Sequence, residues 1–107
     1  MSKKKETIFD HNLTEEEFKY FFRKVDLENQ RIVTYTKEEA MEKVKNMSQD
    51  ENYAYLAHLY MLRRNKKKME EYLDKIKDDI LRAETGHILY NEYYTRQSLG
   101  VWSDNKE

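Results

Sequence analysis

The chain has 107 residues, enough for one domain with a modest core. Apolar and charged residues each make up 38% of it, and 20 Lys and Arg against 21 Asp and Glu leave a formal charge of -1, so no whole-molecule field favours nucleic acid or an anionic membrane. Zero Cys excludes disulfides and thiolate chemistry, while zero Pro and two Gly remove the turn punctuation of all-β folds and predict an all-α domain of about five helices around a central helical hairpin.

Residues 1–11 (MSKKKETIFDH) carry Lys3, Lys4 and Lys5 with little to bury, and are expected to be a flexible basic arm ahead of a helical domain over 12–102 and a flexible tail over 103–107. No apolar run follows the lysines, so no secretory signal is read, and a cytoplasmic location is expected. Thr14-Glu15-Glu16-Glu17 is a capping box, in which the first side chain and the last each bond the other's backbone N–H. It opens a helix predicted to run to Val25, with Phe18, Phe21, Phe22 and Val25 as its apolar stripe.

Residues 26–35 (DLENQRIVTY) lose helical period and end in the β-branched run Ile32-Val33-Thr34. One extended segment cannot build a sheet alone, so it is read as a long connection, with pairing to a second chain as the alternative. Thr36–Glu39 and Ser48–Glu51 repeat the capping box. The first opens a helix to about Asn46 that turns Ala40, Met41, Val44 and Met47 inward.

The second opens the central helix, to about Arg64, whose stretch Tyr53–Leu62 (YAYLAHLYML) has His58 as its single strongly polar side chain. A segment apolar on every side belongs inside a small helical domain. After the turn at Arg63–Lys66, Met69, Tyr72, Leu73 and Ile76 mark the partner helix. Asp78-Asp79 caps a last helix ending at Gly100, with Ile80, Ala83, His87, Tyr90 and Tyr94 on one face and Gly86 read as a point of close helix approach.

Residues 52–77 resemble one tetratricopeptide-type hairpin: Tyr53, Leu56, Ala57 and Tyr60 match the large, Leu, small, aromatic spacing of its first helix. Met69 and Ile76 stand where that motif prefers Ala, and an offset of 34 residues places Asn91 where its small residue belongs. The resemblance implies a protein-binding scaffold rather than a catalyst.

Three groups are candidate sites. Nine Tyr against four Phe suit a surface that is part buried and part wet, which designates Tyr90, Tyr93, Tyr94 and Trp102 as a contact surface for a partner protein or a second copy. Tyr93 and Tyr94 lie about 100° apart on a helix, so at least one must face outward. Arg63, Arg64, Lys66, Lys67 and Lys68 form a basic turn suited to phosphate contact. Glu84 and His87 have the Glu-x-x-His spacing of carboxylate-bridged metal sites, which Glu51 and His58, or a homodimer, would have to complete. With no nucleophile and base pair in view and no cofactor motif, the expected function is a non-catalytic protein-interaction module; a nucleic-acid accessory protein is second and a Glu/His metal protein third.

Overall fold

The computed structural model describes residues 5–100, so Lys3, Lys4, Trp102 and the tail over 103–107 lie outside the described residues. Among the described residues the fold is mostly helical, with five α-helices and a two-stranded sheet. A 3-10 turn at Ile8–His11 precedes α1 (Glu15–Phe21), β1 (Arg23–Asp26), β2 (Arg31–Thr34), α2 (Lys37–Asn46), α3 (Gln49–Leu62), α4 (Lys66–Lys75) and α5 (Asp79–Leu99).

Local chemistry sets most of these boundaries. The capping boxes of Thr14 with Glu17, Thr36 with Glu39 and Ser48 with Glu51 all form with both reciprocal bonds, and Thr7 with Asp10 adds a fourth around the 3-10 turn. Asn65 caps α4 through the N–H of Lys68, and Asp78 caps α5 through the N–H groups of Ile80 and Leu81. The Asp50 carboxylate, in the first turn of α3, accepts from the N–H groups of Lys77 and Asp78 at 3.0 Å each, so the start of α3 also fixes the α4–α5 corner.

α3 is the centre of the packing. Leu56, Ala57, Leu59 and Met61 are fully buried, and no residue from Tyr53 to Leu62 is exposed. Met69, Tyr72, Leu73 and Ile76 cover it from the α4 side, Ala40 and Val44 from α2, and Leu89 from α5. Phe22 and Ile8 close the remaining side, where Phe9 stacks on Phe22 at 5.4 Å. The turn between α3 and α4 passes through Arg64 at φ 61°, the left-handed position usually given to Gly.

The structure corrects several expectations, among them the inward placement of Met41 on α2, which is 53% exposed. Residues 5–11 are not a free arm: Ile8 is fully buried, Lys5 Nζ donates to the carbonyls of Lys45 and Met47 at the end of α2, and the Glu6 backbone exchanges two hydrogen bonds with the Gln49 side chain. Cationic Lys5 thus complements the negative end of the α2 dipole. The first helix stops at Phe21 because Phe22 turns into the core as its cap, and Val25 is 62% exposed in a strand. The connection over 26–35 is a hairpin pairing Arg23 with Thr34 and Asp26 with Arg31, its loop held by Asp26, whose carboxylate accepts from both the backbone and side-chain nitrogens of Asn29.

Gly86 is not a point of forced approach. A Cβ there would meet Leu73 Cδ1 at 3.9 Å, an ordinary contact. Gly86→Ala is therefore expected to raise stability by about 0.5–1 kcal/mol through the lower helical cost of Ala, measurable as a higher urea midpoint at unchanged slope.

Candidate interaction surface

α5 is long and thinly anchored. Of its 21 residues only Leu89 is fully buried. Leu89 enters the core, Leu81, Tyr90 and Tyr93 pack against it, and the Arg82 guanidinium donates to the Ile76 carbonyl at 2.6 Å. This overturns the face expected from sequence: Ile80 is 71% exposed, and Ala83 and His87 also face solvent. The helix carries two apolar stripes, and periodicity alone does not say which of them the core takes.

The three described tyrosines of the candidate surface divide accordingly. Tyr90 is half-buried and donates to Glu70 Oε2 at 2.6 Å; burial and that bond push its pKa up to about 12. Tyr93 packs against the core and meets Tyr94 edge-on at 5.4 Å. Tyr94 is 47% exposed and its hydroxyl accepts from Lys66 Nζ at 2.6 Å. So Tyr94 is the outward member, and Tyr90 and Tyr93 mainly hold α5 to α4 and the core.

The outward face of α5 has a different composition from the one expected. Ile80, Glu84, Ile88, Asn91, Thr95 and Leu99 are all exposed. At 100° per residue they fall within about 100° of the helix circumference, one continuous strip. Glu84 is its one acidic or basic member, in a chain of which 38% is charged. The strip was not anticipated because Ile80 was grouped with Ala83, His87, Tyr90 and Tyr94 on a different face.

The basic turn is largely committed to the fold. Arg63 grips Glu17 with Nε and Nη2, each at 2.9 Å, and Nη2 also donates to the His11 carbonyl at 2.9 Å. Lys66 holds Tyr94, and Lys68 Nζ sits 5.8 Å over the ring of Tyr60; Lys67 projects into solvent. Arg64 occupies the left-handed turn position.

The proposed metal ligands do not converge. Glu51 is exposed and caps α3, while His58 lies inward with its Nε2 3.1 Å from the Tyr20 hydroxyl, and burial lowers its pKa. Glu84 is exposed, and His87 accepts from the Asn91 amide one turn along. Among the described residues no group of three or more metal-type side chains comes together.

A cluster that the sequence did not reveal joins the N-terminal segment to the hairpin. Glu6 Oε2 accepts from the Tyr72 hydroxyl at 2.6 Å and lies 2.9 Å from His11 Nε2, while His11 Nδ1 meets the Tyr60 hydroxyl at 2.8 Å. Burial alone would raise the Glu6 pKa, but the bonds from Tyr72 and His11 outweigh it and hold the pKa down. Tyr60 and Tyr72 lie 49 and 66 residues along the chain from His11 and Glu6 respectively, beyond any local motif.

No protein-family model, curated protein or solved structure matches the chain. No described helix is long and apolar enough to cross a membrane.

Proposed function

We propose that this protein is a small, non-catalytic interaction module, working in the cytoplasm, that docks a partner protein on the outer face of α5. The observation that supports this most is the near-uncharged strip of Ile80, Ile88, Asn91, Thr95 and Leu99, continuous with Tyr94, on a helix whose opposite side already supplies the core contact. From Ile80 to Leu99 this near-uncharged strip runs about 29 Å at a rise of about 1.5 Å per residue, which fits an amphipathic helix or a groove on the partner. The tetratricopeptide-like hairpin of α3 and α4 serves as the rigid support behind it. Nucleic-acid contact at the basic turn ranks second, because Arg63 and Lys66 are already engaged within the chain.

The test is photocrosslinking from position 88 in living cells. A photoreactive residue at Ile88 should yield one discrete protein adduct, and the same residue at Lys43 on α2 should not. Ile88→Asp should abolish co-purification of that adducted protein while leaving helicity intact, since Ile88 is 58% exposed. Equal recovery of the partner with Ile88→Asp would overturn the proposal.

A further inference from the structure

The hairpin of β1 and β2 carries an exposed apolar patch: Val25 and Ile32 oppose each other across the strands at 62% and 64% exposure, and Leu27 at the loop is 82% exposed. A two-stranded ribbon is marginal in water, and an open strand edge is a template for another strand. The edge of β1 is open, with Arg23, Lys24 and Val25 all exposed.

The hydrogen-bond phase of that edge follows from one bond. Tyr35 N donates to Phe22 O at 2.7 Å, in register with the ladder. Opposed residues in an antiparallel ladder alternate between exchanging and not exchanging bonds. Lys24 and Asp26 therefore direct their N–H and C=O groups at β2, and Arg23 and Val25 direct theirs outward.

We propose that β1 pairs antiparallel with β1 of a second copy, forming a four-stranded sheet about a two-fold axis that passes between the two Val25 residues. Such an axis stands perpendicular to the sheet, so only residues on the same face oppose one another. Three registers then match outward amide to outward amide. One sets Arg23 against the partner's Arg23, and another sets Lys24 against the partner's Lys24; both juxtapose like charges. The third sets Val25 against the partner's Val25, exchanging both main-chain bonds, and places Lys24 opposite the partner's Asp26 on each side of the axis. It also aligns Ile32, Val25, the partner's Val25 and the partner's Ile32 in one apolar row on one face. Charge selects the register, and burial of that row supplies the attraction.

This surface is separate from α5, so the two proposals fail independently. Amide exchange of the full-length protein should show the Val25 N–H slowing at least about tenfold between dilute and near-millimolar protein, while the Lys24 N–H, bonded within the hairpin, stays protected throughout. Sedimentation should give a dimer over the same range. Val25→Lys places ammonium against ammonium at the axis and should return a monomer of unchanged helicity. Lys24→Asp, which sets carboxylate against the partner's Asp26, should weaken the dimer even if Val25→Lys folds poorly. Ile88→Asp should leave the dimer intact. A monomer at every concentration with the Val25 N–H unprotected, or a dimer that survives Val25→Lys, would overturn the proposal.

Discussion

Leu56→Ala is expected to lower the unfolding free energy by about 2–5 kcal/mol, the range for emptying a fully buried leucine site. Leu56 is fully buried in the middle of α3, within the cluster that α2, α4 and α5 cover together. Such a site cannot collapse without moving a second element, which favours the upper half of that range. Domains of this size are stable by only about 5–15 kcal/mol, so the variant should melt far below the native chain. Ile80→Ala is the matched control: at 71% exposure on the outer side of α5 it should change stability by no more than about 0.5 kcal/mol. Urea titrations of the two variants measure the contrast directly.

Arg63→Met should cost about 1.5–3 kcal/mol at neutral pH, the scale of losing hydrogen bonds to a charged group. The guanidinium fastens α1 through both Glu17 oxygens and the N-terminal segment through the His11 carbonyl, and the two side chains are only 27% and 17% exposed. Methionine keeps the stem's packing but leaves a half-buried carboxylate without its cation.

The pH dependence carries a distinct signature. The hydrogen bond from Arg63, joined by the Thr14 N–H, holds the Glu17 pKa below its ordinary value of 4.5. A depressed carboxylate pKa means that the unfolded chain binds the proton more readily, so this stability is present above pH 4.5 and is lost as pH falls through the folded value. The gap between native protein and Arg63→Met should accordingly narrow in acid. His58 adds an earlier decline, because burial holds its pKa below 6.5 and the unfolded chain takes up its proton first. Acid titration followed by circular dichroism at two urea concentrations would resolve both.

What could be read in advance was what neighbouring residues decide between themselves. The boxes at Thr14, Thr36 and Ser48 are completed within three residues, so they located three helix starts. The stretch from Tyr53 to Leu62 is apolar on all sides, so only one placement was open to it. Where two local solutions compete, distant partners decided. Phe22 and Val25 have helical spacing, yet Phe22 is captured by Phe9 ahead of the helix and by Tyr35 and Tyr55 beyond it, which releases Val25 into a strand. α5 offers two apolar stripes, and Tyr90 and Tyr93 settle the choice through Glu70 and the core rather than through their own periodicity. Glu6 and His11 look like tail residues because Tyr60 and Tyr72, which hold them, come some fifty to sixty-six residues later.

The claim on which the fold, the α5 surface and the hairpin edge all depend is that α3 and α4 form a dry centre. Peroxide oxidation of the folded protein, followed residue by residue by mass spectrometry, tests it with the chain's own methionines. Met41 is 53% exposed, whereas Met61 and Met69 are fully buried. Met41 should convert to the sulfoxide at least about ten times faster than Met61 or Met69, because thioether oxidation follows access to solvent. Oxidation of Met61 and Met69 as fast as Met41, with helicity still native, would contradict the account.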